Sequence, residues 1–275
     1  MTDPTPEELD AQALELLDEA ARPKRRVRPR LARKLHDAED LEVQTPNGPV
    51  MAWRLGVGPA SLLVHGWEDD NALWSPLIDE CAAIGRAVVA FDLPGHGFSP
   101  SEAFSVEAAG QAALAVAEAL GPIDSVVAHS FGCPTSIYAM AHGLKVDRAV
   151  LIGSPVPRGR AGGGRERMPG EWVRRQMERG ADRKVAERAA ELMAARGDNG
   201  RSAGFDAEAA IAAMTAKALI IHAMDDEQCP VENSQKMAQI WPDCELVLVD
   251  DLGHRLICQD DVILERIINF VDDFK

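Results

Sequence analysis

The 275-residue chain weighs 29.7 kDa, is 46% hydrophobic and 27% charged, and carries a formal net charge of −15. Its length suffices for a buried core, in one large domain or two small ones, and its apolar fraction excludes a disordered chain. The acidic balance argues against a nucleic-acid-binding body, and no window approaches the roughly 18 uninterrupted apolar residues of a membrane-spanning helix.

The charge is unevenly spread. Arg22–Lys34 holds eight basic residues and no acid, and Val156–Ala213 holds twelve basic residues against nine acidic ones. Nine basic and 35 acidic residues remain for the rest, so an acidic body carries two basic attachments. They read as solvated helix faces or an arm lying on that body; the alternative is attraction of an anionic substrate or partner. The five cysteines (Cys81, Cys133, Cys229, Cys244 and Cys258) form no C-x-x-C pair. That spacing suggests neither a metal site nor a disulfide framework. With an N-terminus that is acidic where a signal peptide would be basic, it places the protein in a reducing cytoplasm as an expectation.

In chain order, Thr5-Pro6-Glu7-Glu8 reads as a helix start, with an N-cap, a proline at the first helical position and a reciprocal glutamate. Leu9, Ala13, Leu16, Leu17 and Ala20 then recur at helical spacing, which predicts an amphipathic helix over 6–20. Pro23 and Pro29 prevent one continuous helix through the basic run. Residues 1–40 are therefore expected to be an extension. From residue 41, LEVQTP and PVMAWRLG read as a hairpin around Asn47-Gly48. Six further apolar runs follow at 60–66, 86–94, 123–130, 146–155, 217–226 and 244–254. Helical stretches at 72–84, 106–120, 131–143, 231–241 and 260–273 separate most of them. Val-, Ile- and Leu-rich strands without polar alternation, alternating with helices, predict a doubly wound, mostly parallel sheet of eight strands. Residues 156–213 contain no strand candidate and read as a helical cap inserted between the core segments 41–155 and 214–275. The expected place of the insertion is over the carboxyl edge of the strands, where open α/β sheets bind ligands.

Four strand ends carry chemistry-bearing residues. Ala128-His129-Ser130-Phe131-Gly132 is a small-x-Ser-x-Gly turn between strand and helix, which exposes a serine hydroxyl on a sharp bend. His65-Gly66-Trp67 ends another strand; the Trp67 and Phe131 N–H groups could together form an oxyanion hole. Asp225, Asp226 and Glu227 stand in a row at a third end, and any of them could orient an imidazole. His254 follows the last strand. It is the one histidine of seven beyond a strand end and downstream of an acid candidate.

With VHGW (64–67), FDLPGHG (91–97), AHSFG (128–132), IIHAMDDEQCP (220–230) and LGH (252–254) in this order, residues 41–275 resemble the α/β-hydrolase family. The likeness extends to bacterial members that have a VHGW motif and a basic segment before the domain. The resemblance implies Ser130 as nucleophile, Asp226 as acid and His254 as base, Asp226 being the second Asp of the pair. Ala128 stands where glycine is usual, which implies a slightly tighter turn, and Ala223 stands where many members have glycine, a modest change. A serine nucleophile argues against the branches that attack with aspartate. The expectation is a cofactor- and metal-free serine hydrolase of small-molecule carboxylic esters, with no nucleic-acid partner and no membrane span. His65, Trp67, His129, Met168, Trp172 and Met177 are candidates to line its pocket; lid packing would equally explain the last three. A thioesterase, lactonase or C–C bond hydrolase would use the same residues. A binding protein of the same fold, or an interaction role for the extension, stays open beside them.

Overall fold

The computed structural model describes residues 4–28, 38–102, 105–156, 164–195 and 205–272. Two compact units divide the chain: Met1–Pro23 with Gly159–Gly204, and Lys24–Arg158 with Phe205–Lys275.

The first unit is helical. Helix α1 (Pro6–Ala21) starts at a reciprocal cap: the Thr5 hydroxyl accepts from the Glu8 N–H, and the Glu8 carboxylate accepts from the Thr5 N–H at 2.8 Å. Leu16 packs against Val173 of the helix Gly164–Glu178 and against Ala186 and Ala190 of the helix Arg183–Ala195. Arg188 closes the contact by gripping both carboxylate oxygens of Asp10, at 2.5 and 3.2 Å. The N-terminal helix thus belongs with the inserted helices, a pairing that no local pattern announces.

The second unit is built on eight strands: β1 (Glu39–Val43), β2 (Val50–Leu55), β3 (Ala60–Val64), β4 (Ala87–Phe91), β5 (Ile123–His129), β6 (Arg148–Ile152), β7 (Lys217–Ala223) and β8 (Cys244–Val249). They form one sheet in the order β1-β2-β4-β3-β5-β6-β7-β8. The first two pairings, β1 with β2 and β2 with β4, are antiparallel, and the other five are parallel. The hairpin forms as expected, with Val43 opposite Val50. Its loop is longer than a two-residue turn, and Thr45 organises it by donating its hydroxyl to the Gly48 carbonyl at 2.5 Å.

Adjacent strand residues feed opposite faces, which is why the strands read as unbroken apolar runs. Leu62, Val64, Val89 and Phe91 pack on one side with the helices Val106–Leu120 and Gly132–Ala141. Leu63, Val88, Ala90 and Val127 pack on the other with Leu77 and Ile78, and with Ile263, Leu264 and Ile267 of the C-terminal helix. Helix Ala207–Ala212, within the stretch read as cap, lies in this second unit and buries Ile211 in its core. No helix among the described residues is long and apolar enough to cross a membrane.

Candidate active site

Because β3 and β5–β8 run parallel, the turns after them open on one edge of the sheet. That edge gathers Trp67, Ser130, Asp226 and His254.

Ser130 sits between β5 and the helix Gly132–Ala141 with φ at 51°, left-handed backbone that a residue with a Cβ rarely adopts. Its N–H donates to the Ile152 carbonyl at 2.8 Å, and its own carbonyl accepts from the Cys133 N–H at 2.9 Å. The turn is tight against the next strand end. A Cβ on Gly132 would stand 2.2 Å from the Val64 carbonyl oxygen, and one on Gly66 would stand 3.0 Å from the Ser130 Cβ. The Trp67 and Phe131 rings meet edge to face at 6.3 Å, so the two residues predicted to form an oxyanion hole are neighbours.

Two neutral histidines pin the Trp67 turn to the turn after β4. His65 donates from Nδ1 to the Gly66 carbonyl at 2.8 Å and accepts the Leu93 N–H at Nε2, 3.0 Å away. His96 donates from Nδ1 to the Pro94 carbonyl and accepts the Glu68 N–H at Nε2. Burial, followed by the neighbouring His96, holds the His65 pKa well below the usual imidazole range. Beneath them, the Asp92 carboxylate accepts from the Asn71 N–H at 3.0 Å and the Phe98 N–H at 2.7 Å. Burial pushes its pKa up to about 7 against those two hydrogen bonds.

The last turn carries the clearest pair. His254, in the short helix Gly253–Leu256, lies with Nδ1 2.6 Å from Asp226 Oδ2, and both side chains are buried. The other oxygen of Asp226 accepts the Gln228 and Cys229 N–H groups at 2.8 and 2.9 Å. Burial alone would raise the pKa of this carboxyl. Hydrogen bonds from His222 and His254, the charge of His254 and the Cys229 N–H outweigh it and hold the group well below the carboxylate range. With Nδ1–H directed to a carboxylate, neutral His254 keeps its lone pair on Nε2, where it can take a proton.

The row of three acids is thereby sorted. Asp226 meets His254, Asp225 accepts the Gly253 N–H with both oxygens at 3.0 and 3.1 Å, and Glu227 is exposed. Sequence reasoning had no signal for the Asp225 contact, which closes only in the tertiary structure. It also missed His222, whose ring accepts the Ser234 hydroxyl at 2.6 Å, donates to the Cys229 carbonyl and stands 3.4 Å from Asp226.

Of the expected pocket residues, Trp67 is partly exposed beside Phe131. His65 and His129 are 0% and 2% exposed and bind backbone, so their rings offer a substrate almost no surface. Trp172 packs in the helical unit, and Met177 is exposed and borders a groove there with Val173 and Ala190. The Met168 side chain lies outside the described residues. Among the described residues no group of three or more His, Cys, Asp or Glu side chains is placed to hold a metal ion.

Known proteins share the fold of the chain. The esterase of Pyrococcus furiosus superposes over 92% of this chain and 97% of its own, with a TM-score of 0.71 at 17% identity. A thermophilic esterase from Thermogutta terrifontis superposes over 86% of this chain and 99% of its own, with a TM-score of 0.64 at 18% identity. In sequence, the chain is 36% identical over 103 residues to a pimeloyl-[acyl-carrier protein] methyl ester esterase of Methylococcus capsulatus. That match spans 36% of this chain and only 39% of the relative's length. The model of the alpha/beta hydrolase family matches residues 62–263, and with the eight-stranded sheet and its edge of loops the chain belongs to that family.

Proposed function

We propose that the chain is a serine hydrolase that cleaves small carboxylic esters through an acyl-enzyme on Ser130. The observation that carries this reading is the short bond between His254 Nδ1 and Asp226, at the sheet edge where Ser130 occupies its strained turn. The esterases among the similar proteins support a carboxylic ester as the scissile group.

In this reading His254 Nε2 takes the Ser130 proton as Oγ attacks the ester carbonyl. The Trp67 and Phe131 N–H groups stabilise the oxyanion, and Asp226 stabilises the imidazolium. Collapse of the tetrahedral intermediate breaks the bond to the alkoxy oxygen, which leaves as the alcohol with the His254 proton. Water, deprotonated by the same imidazole, then attacks the acyl-enzyme, releasing the acid and returning the proton to Ser130.

The test is labelling by a fluorophosphonate, followed by turnover of p-nitrophenyl esters of graded chain length. The wild type is expected to label on Ser130 and turn over, and Ser130→Ala to do neither. An unlabelled wild type would refute the reading.

A further inference from the structure

We propose that Asp69 is a positioning residue that ties the Trp67 turn to the His254 turn, and that Arg28 of the N-terminal basic arm completes this tie. The inference rests on the hydrolase reading above but concerns residues that it does not use.

The Asp69 side chain is 2% exposed and accepts from two guanidinium groups. Its Oδ2 accepts from Arg255, one residue after His254, at 2.6 Å. Its Oδ1 accepts from Arg28 at 2.6 Å and from the Asp70 N–H at 3.1 Å. Asp69 itself lies two residues after Trp67, and its N–H donates to the Gly66 carbonyl at 3.4 Å. One buried carboxylate therefore holds the turn that presents the oxyanion donor and the helix that presents the base. A single charge with two cations and three hydrogen-bonding partners is fully satisfied only when all three segments are in place.

The arm makes more than one contact. Arg28 also stands 3.6 Å from Asp70, whose carboxylate caps the one-turn helix Asn71–Trp74. The Lys24 N–H reaches Glu68 Oε1 at 3.4 Å, and Arg26 lies 4.0 Å from its other oxygen. Glu68 has φ at 53°, so the turn that these cations surround is itself strained. Like charges at 68, 69 and 70 repel, and the arm cancels that repulsion where Trp67 must be held still. Lys24–Arg28 thus serves as a strut of the site, and the basic run has a role other than attracting substrate.

The test uses full-length Asp69→Asn, Arg255→Gln, Arg28→Ala and Arg28→Lys, with the surface change Arg22→Ala as control. Active serine is titrated with fluorophosphonate, so that kcat is counted per competent site and loss of folded protein does not enter. Misplacing catalytic groups by about 1 Å costs about 100-fold, so Asp69→Asn and Arg255→Gln are expected to lower kcat by about 10- to 100-fold with KM nearly unchanged. Arg28→Ala is expected to lose less, and Arg28→Lys to recover part of that loss by restoring the charge. Unchanged kcat per titrated site in Asp69→Asn and Arg255→Gln, or an effect confined to KM, overturns the proposal. Should Asp69→Asn fail to fold, Arg255→Gln and the Arg28 pair decide by the same readout. If the wild type neither labels nor turns over, the hydrolase reading fails separately. The low-field proton resonance of the His254–Asp226 bond then decides: its loss in the Arg255→Gln and Asp69→Asn proteins supports the tie, and its persistence overturns it.

Discussion

His129 donates its Nε2 hydrogen to the backbone carbonyl of His254 at 2.7 Å, and the two rings lie 4.7 Å apart. Burial, reinforced by His254, pushes the His129 pKa down to about 3, so this ring is a neutral donor. The residue preceding Ser130 therefore holds the backbone of the proposed base. His129→Ala leaves a buried carbonyl without its donor, at about 1–3 kcal/mol. The expected result is a lower melting temperature together with a fall in ester turnover, and His129→Gln, which keeps an N–H donor, should recover part of both.

Asp226→Asn should keep the fold and lower kcat by about 10³- to 10⁴-fold, because an amide holds the imidazole in the wrong tautomer and cannot stabilise its charged form. Steady-state kinetics on the best ester from the graded series measures this. A change of less than tenfold would point to another acid, and Asp225, bound to the Gly253 N–H, would be the first to examine.

Stability should respond to pH through two carboxylates of opposite behaviour. Asp92 titrates at about 7 in the folded protein and near about 3.9 when unfolded. Between those values the folded state retains a proton that the unfolded chain has released, so this group's contribution declines as pH rises from about 4 to about 7. Asp226 is held low, so its contribution is present above the unfolded value and is lost as pH falls through its folded pKa. Melting curves across pH 4–8 check this (the range spans the Asp92 window). Asp92→Asn is expected to flatten the decline, even though an amide oxygen cannot replace both acceptor contacts to Asn71 and Phe98.

Thiol reagents should leave the native protein active. Burial pushes Cys81 and Cys133 up to about 12 and Cys258 well above the usual thiol range, so none supplies thiolate at neutral pH. Brief alkylation followed by peptide mass spectrometry should find modification, if any, at the partly exposed Cys244. Rapid loss of activity with alkylation at Cys133 would contradict the packing behind Ser130.

The amino-acid sequence by itself determined the features that are local. Apolar runs marked the strands, helical spacing marked 6–20, and the Thr5 and Glu8 pair marked its start, because periodicity and capping act within a turn or two. The order of the Ser, Asp and His motifs was legible for the same reason, each being a short turn at a strand end. Which of those turns meet was decided by the sheet, since parallel strands bring Asp69 and Arg255 together, and the arm brings Arg28 to them, from distances that no window spans. The helix at 6–21 illustrates the same limit. Its amphipathic face was readable, but not its packing with Val173, Ala186 and Ala190. The net charge of −15 likewise said little until the structure set Arg28 against Asp69. The charge of Asp69 becomes a fixed contact because the fold takes its carboxylate out of water and sets Arg28 and Arg255 against it.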